Sequence, residues 1–369
     1  MKMLLQSRPV QWALMTVMLL GLPLLGIGLA GRDVRAYLTF PPLTGQVAHA
    51  PFAWSFFIFF AAVDLLFLLF LIRLPAYGYH ARRRSSTGRL PHWGWAGLGI
   101  MLAGWVLAWT RWDWFAPFQV HTFFLPWFGY ILLVNALCVR LTARSLLTDT
   151  PGFFWLLFPV SALFWWFFEY LNRFVQNWYY VGADFGPAAY FAFASLAFAT
   201  VLPAVLSTYR LIVGVGPVSG ATGILPLRLR HPRLAATVIL ASAGGGLTFI
   251  GLFPDVLFAL LWVSPLLIIT SLQTLAGRPT IFSPLTQGDW RPIVAAAWAA
   301  LICGFFWELW NIGSLARWHY TVPFVDRFHV FAMPIVGYGG YLPFGLTCLA
   351  IGHMILGSGP LRITTDNRD

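Results

Sequence analysis

The chain's 369 residues include only two glutamates, and both stand inside aromatic runs at matched positions. Glu169 lies in WWFFEYLNRFVQNWYY (165–180) and Glu308 in GFFWELWNIGSLARWHY (304–320). Three residues after each comes an asparagine, Asn172 or Asn311, and then a Trp-x-Tyr: Trp178 and Tyr180 in the first copy, Trp318 and Tyr320 in the second. Two carboxyls in an apolar surround have a definite chemistry. If they approach each other they cannot both be ionised cheaply, so one can hold a proton and serve as a general acid while the other stabilises positive charge. Aromatic faces stabilise cations as well. That combination suits acid–base chemistry on an apolar substrate, such as protonation of an isoprenoid double bond.

A second motif also occurs twice. Residues 111–130 and 317–338 both read Arg-Trp-x-aromatic-x-x-Pro-Phe, then His-x-Phe-x-x-Pro-x-x-Gly-Tyr, with two extra residues in the second connector. Arg111, Trp112, Pro117, His121, Pro126 and Tyr130 correspond to Arg317, Trp318, Pro323, His329, Pro334 and Tyr338. Together the motifs define the expected site. Glu169, Glu308, Asn172, Asn311, His121 and His329 are the expected catalytic set. Arg111, Trp112, Arg173, Trp178, Tyr180, Arg317, Trp318, Tyr320 and the mid-span Asp64 are the expected substrate-binding set. No metal is expected, because no His-x-x-His or Glu-x-x-His pair falls on one helix face. Were a metal held, Glu169, Glu308, His121, His319 and His329 would be the O/N ligands. His121 and His329 could pair across a haem, but the duplicated motif accounts for them equally, and the cofactor is left open.

The elements that must position these residues follow from composition. Hydrophobic residues make up 59% of the chain and charged residues 9%, against roughly 25% charged in soluble domains. Apolar runs long enough to cross a hydrocarbon core of about 30 Å recur along the sequence. The fold class expected is all-α: a polytopic helical membrane protein of about ten transmembrane helices. Spans are predicted at 12–30, 52–74, 93–110, 121–141, 154–176, 187–209, 233–252, 256–276, 292–313 and 328–354, the first read as a retained signal-anchor helix. With the N-terminus inside, 17 of the 23 basic residues fall on inner segments and 6 on outer ones, which favours N-in/C-in. The net charge of +11 then belongs to inner loops such as 76–92, and nucleic acid is not an expected partner. Cys138, Cys303 and Cys348 lie within apolar runs and read as buried small hydrophobes. The Gly/Pro-rich stretch 213–231 matches no phosphate-loop pattern and reads as a connector.

The motifs also suggest a repeat of two spans, a basic inner loop and a Trp-rich outer loop, at 52–114, 121–180 and 256–320. Between the last two lie the intervening helices and connector of 187–252, and the chain closes with the span 328–354 and an inner tail at 355–369. Units of two spans share one orientation, so the repeats are parallel, unlike the inverted repeats of many transporters. Polar side chains avoid lipid, so the repeated faces should turn inward around a common site in the outer half of the membrane. The expected function is that of an enzyme acting on a lipid, polyprenyl or carotenoid-like substrate. The alternatives are a transporter or binding protein for an apolar or anionic small molecule, and an accessory structural subunit of a membrane complex. Expected partners are membrane lipids, a hydrophobic small molecule or pigment, and partner subunits in a bacterial inner membrane.

Overall fold

The computed structural model describes residues 7–42, 45–76, 88–216 and 218–356. Most of the basic loop 76–92, together with Lys2, Arg362 and Arg368, lies outside the described residues. The chain is largely α-helical. Helix α1 runs from Arg8–Thr16 through a π-helical turn, Val17–Gly21, into Leu22–Leu29. There follow α2 (Trp54–Ala76), α3 (His92–Trp109), α4 (Phe124–Thr142), α5 (Pro151–Val175), α6 (Pro187–Phe198), α7 (Val201–Val215), α8 (Pro232–Phe249), α9 (Leu260–Leu275), α10 (Arg291–Gly313) and α11 (Tyr341–Leu356). Several begin with proline at the first or second position, at Pro151, Pro187, Pro232 and Pro292, where the missing N–H costs nothing.

Among the described residues, 7 helical runs are long and apolar enough to cross a membrane. The other expected spans are also helices, at His92–Trp109, Pro232–Phe249 and Leu260–Leu275. Two boundaries differ from expectation. The stretch 187–209 is broken between Phe198 and Val201, and Ser161 of α5 stitches the break: its hydroxyl donates to the Phe198 carbonyl (2.6 Å) and accepts from the Leu202 amide (2.9 Å). The run 328–354 is not one helix. His329–Val330 and Met333–Pro334 pair as a short β3–β4 hairpin, Ile335–Gly340 winds as a 3₁₀ helix, and α11 starts only at Tyr341. Pro334 and the three glycines Gly337, Gly339 and Gly340 in that run explain the delay, since both residue types oppose a helix interior.

Packing places α7 and α10 at the centre, α7 buried from Val201 to Tyr209 and α10 over most of its length. α10 is buried along Val294–Ala300 apart from Trp298, and its alanines let α7 and α11 approach. α3 and α4 pack backbone to backbone: a Cβ on Gly129 would lie 2.3 Å from the Met101 amide nitrogen and 2.6 Å from the Gly97 carbonyl oxygen. Such small residues let two helix backbones approach closely. Buried polar groups link the same core. Asn135 of α4 donates to Ser207 (2.8 Å) and accepts from the Leu147 amide (3.2 Å), while Tyr130 and Thr208 share a hydrogen bond of 2.8 Å. Cys138, Cys303 and Cys348 are buried free thiols, as expected from their apolar surroundings.

At one end of the bundle, two short strands form an antiparallel ribbon. Strand β1 (Trp178–Val181) follows α5 and β2 (Arg317–Tyr320) follows α10. The register pairs Trp178 with Tyr320, Tyr179 with His319, Tyr180 with Trp318 and Val181 with Arg317. It is self-complementary. Exchanging the copies, Trp178 for Trp318 and Tyr180 for Tyr320, maps the pairing onto itself, as a local two-fold axis requires. Trp127 packs on Trp307, the residue before Glu308 (5.1 Å between ring centroids), and Trp262 packs on Phe168, the residue before Glu169 (5.4 Å).

Candidate functional site beneath the aromatic ribbon

Each helix–strand junction is held by its asparagine. α5 ends at Gln176, which takes a left-handed conformation (φ 49°). The buried Asn172 side chain then bridges the turn, accepting from the Asn177 amide (2.8 Å) and donating to the Trp178 carbonyl (2.8 Å). Asn311 does the same for the other copy, accepting from the Trp318 amide (2.9 Å) and donating to its carbonyl (2.9 Å). The spacing of three residues is therefore a connection between helix and strand, set one turn past the glutamate on the same helix face.

Because side chains alternate along a strand, Trp178, Tyr180, Trp318 and Tyr320 all emerge on one face of the ribbon. They meet the glutamates there. Glu169 Oε1 accepts from the Tyr180 hydroxyl (2.6 Å), the Trp178 indole (3.0 Å) and the Trp165 indole (3.1 Å). Glu308 Oε1 accepts from the Tyr320 hydroxyl (2.7 Å) and the Tyr341 hydroxyl (2.9 Å), and the Trp318 indole donates to Tyr320 (2.8 Å). Both glutamates are fully buried, and Oε2 of each is buried without a partner. The two carboxyls take separate sets of donors. Burial, and after it the adjacent carboxylate, pushes the Tyr180 and Tyr320 phenols well above the ordinary phenol range.

All six of these donors wall one cavity of about 420 Å³, with Trp165, Trp178 and Tyr180 from the first copy and Trp318, Tyr320 and Tyr341 around the second. Trp262, Trp307, Phe123 and Phe198 complete an aromatic lining. Its polar rim includes His121, Asp184 and Arg317. The glutamates stand behind this lining and hold the groups that face it. Such an enclosure, mostly apolar with a few fixed polar groups, has the character of a small-molecule site.

The remaining expected residues distribute unevenly. His121, at the end of a 3₁₀ helix (Asp113–His121), stacks on Phe193 at 3.8 Å between centroids and lines the cavity; burial lowers its pKa. His319 stacks against Tyr179 (5.8 Å) on the opposite face of the ribbon, and burial, then Arg317, lowers its pKa. His329 is exposed in β3 and bonds Asp326 at 2.8 Å. Arg111 donates to the Gly313 carbonyl (2.9 Å), pinning the end of α3 to the end of α10, and Trp112 is 41% exposed. Arg173 holds the 37–39 segment through the Tyr37 and Thr39 carbonyls (2.8 and 2.9 Å). Asp64 lines a second, larger cavity. The alternative metal set does not assemble: among the described residues no group of three or more His, Cys, Asp or Glu side chains is placed to hold an ion. The reason is local. Each glutamate is enclosed by its own aromatic donors, and His121, His319 and His329 occupy different faces.

The sequence reading missed Trp165, Tyr341 and the half-buried pair His49–Asp255 (2.6 Å), which ties the segment before α2 to the turn before α9. Trp165 stands four residues before Glu169 on the same helix, a spacing that brings side chains together. Tyr341 carries no comparable signal, arriving from 33 residues away. The structure thus defines a largely α-helical bundle with a buried polar–aromatic site. No protein-family model, curated protein or solved structure matches this chain.

Proposed function

We propose that the chain is an integral membrane protein of about ten spans, with both termini on the inner face of a bacterial cytoplasmic membrane and the ribbon toward the outer face. Its membrane placement is supported by helix surfaces such as that of α2, where Ile58, Phe59, Leu65, Leu66 and Leu69 are 44–69% exposed, an apolar surface of the kind soluble monomers rarely leave in water. The parallel two-span repeats at 121–180 and 256–320 are supported by the symmetric ribbon register and the crossed Trp127–Trp307 and Trp262–Phe168 contacts. The unit at 52–114 has no glutamate to join them.

Within that frame the protein acts by general acid–base chemistry on an apolar or amphiphilic substrate, a lipid or polyprenyl-like molecule, bound in the cavity beneath the ribbon. One observation carries this reading: every donor to the two glutamates is also a wall of that cavity. The Tyr180 and Tyr320 phenols are the proton-transferring groups at the substrate. Glu169 and Glu308 stand behind them and exchange a proton along the Tyr180–Oε1 and Tyr320–Oε1 bonds as each phenol gives one to, or takes one from, the substrate. Indole faces of Trp165, Trp178 and Trp318 stabilise cationic character developing on the substrate.

Lipid extracts of cells expressing the native chain, E169Q, E308Q, Y180F or Y320F, compared by mass spectrometry, test this. The expected result is a lipid species that accumulates in all four variants and is consumed with the native chain. If every extract matches while the proteins are folded, the acid–base reading is wrong and the cavity serves binding or carriage alone.

A further inference from the structure

We propose that the cleft between α2 and α9 is a second site, which binds a membrane lipid by its anionic headgroup at the end remote from the ribbon. This rests on the membrane placement above and is independent of the acid–base chemistry. The cleft has a volume of about 960 Å³. Its wall on α9 runs from Ala259 through Val263, Leu267 and Thr270 to Thr274, with Arg278 just beyond the helix. At 1.5 Å of rise per residue, the wall from Ala259 to Thr274 is ~22 Å long, the scale of an acyl chain. On α2, Phe60, Asp64, Phe67 and Leu71 recur at three- and four-residue spacing and face it. Phe60 against Phe258 (6.0 Å) and Phe70 against Trp290 (5.1 Å) prop α2 away from the bundle at two levels, leaving the cleft between them.

Charge sets the orientation of the occupant. At the end away from the ribbon the lining turns basic and hydroxylic, with Arg228, Arg278, Thr274, Ser283 and Thr286. Arg228 is oriented by donation from its Nε to the Thr286 carbonyl (3.0 Å). The nearby Asp289 is already engaged with Arg291 through two bonds of 2.8 Å. Guanidinium groups and hydroxyls are the natural partners of phosphate oxygens. Midway along lies Asp64, with Oδ2 buried and unpartnered; a Cβ on Gly339 would sit 2.0 Å from its Oδ1, so the carboxyl is received over a residue without a side chain. An anion is excluded from that level, and only a tail can pass it. Beyond Asp64 the cleft is lined by Trp178, Trp262, Tyr320, Met333 and Gly340, which also line the cavity beneath the ribbon. The tail is thereby directed toward the aromatic site.

Full-length protein reconstituted in phosphatidylcholine vesicles, doped with a trace of phosphatidylglycerol carrying a diazirine in its acyl chain, provides the test. Flotation first establishes that the protein is in the bilayer. After irradiation, peptide mapping should place label on the inward residues of α2 and α9, and labelling should fall roughly tenfold in the R228Q/R278Q protein, the effect of losing charge-assisted bonds to a phosphate. T270W, which fills the cleft and leaves both arginines, should also abolish it, and covers the case in which the double variant fails to fold. E169Q/E308Q should label normally, so failure of the acid–base reading leaves this result standing. Equal labelling by the matching phosphatidylcholine probe, or label undiminished in folded R228Q/R278Q and T270W, overturns the proposal. A native protein that does not float overturns the membrane reading with it.

Discussion

Trp165 and Gly304 occupy equivalent positions, four residues before Glu169 and Glu308, and their difference decides how each carboxyl is held. In the first copy the indole of Trp165 itself donates to Glu169 at 3.1 Å. In the second, Gly304 presents no side chain, and the ring of Tyr341 lies in the vacated space: a Cβ on Gly304 would fall 2.4 Å from that ring. Tyr341 then donates to Glu308 at 2.9 Å. Both carboxyls accept from a ribbon tyrosine, but Glu169 adds the indoles of Trp178 and Trp165, whereas Glu308 adds Tyr341 from α11 and Trp318 bonds Tyr320 instead.

It follows that Gly304→Ala should behave as more than a conservative change. The added methyl must displace a buried ring, an overpacking cost of about 1–3 kcal/mol, and it also withdraws a donor from Glu308. Thermal unfolding in detergent should show G304A losing stability at least as large as Y341F does. Equal stability of G304A and the native chain would mean that the ring and the carboxyl are not coupled through this glycine.

The asparagines should govern the ribbon. Asn172→Ala and Asn311→Ala each strip a buried turn of side-chain bonds on both an amide and a carbonyl, leaving backbone groups unpaired at about 1–3 kcal/mol each. Hydrogen exchange of the 178–181 and 317–320 amides is the direct readout. Exchange should accelerate in both strands in either variant, since they pair with each other. Protection unchanged in the partner strand would separate the two junctions.

Acid should weaken the ribbon end of the molecule. The pKa values of His121 and His319 are lowered from 6.5, in both cases chiefly by burial, so below about pH 6.5 the unfolded chain binds protons that the folded chain does not. Stability is fully present above that pH and declines as pH falls toward the lowered folded values. H121N and H319N should each flatten the slope of unfolding midpoint against pH below 6.5. A slope unaffected by both substitutions would assign the acid sensitivity elsewhere.

Topology can be tested with the native cysteines in place, since all three are buried. Trp114, 69% exposed near the ribbon end, and Leu229, 57% exposed near Arg228, are suitable single-cysteine positions. W114C should react with a membrane-impermeant maleimide on intact spheroplasts, and L229C only after permeabilisation. The reverse pattern would invert the proposed orientation.

The Glu169 and Glu308 site was legible in the sequence because it is written twice: a lone carboxylate in an aromatic run is ambiguous, whereas two with matching Asn and Trp-x-Tyr positions specify one structure that pairs with itself. The helices were legible because apolar runs of such length leave few alternatives. The second motif misled in part. Residues 317–320 find a strand partner in 178–181, whereas Trp112 and Trp114 face outward with no strand beside them, and the chain from Asp113 winds as a 3₁₀ helix instead. Similar sequence therefore put His121 at the cavity and His329 at the surface. Tyr341 was illegible because its role depends on a space left by Gly304, a relation between two helices that spacing along one chain cannot express. The broken run at 328–340 was marked by Pro334 and its glycines, which apolar length alone conceals.

The most direct test of the central claim is the density inside the cavity walled by Trp165, Trp178, Tyr180, Trp318, Tyr320 and Tyr341, in protein extracted with its own membrane lipid into discs and imaged by cryo-electron microscopy. An elongated, apolar molecule should lie against those six side chains, with the Tyr180–Glu169 and Tyr320–Glu308 bonds intact. A cavity closed by repacked aromatics, or one filled by water alone with the tyrosines turned away from the glutamates, would contradict it.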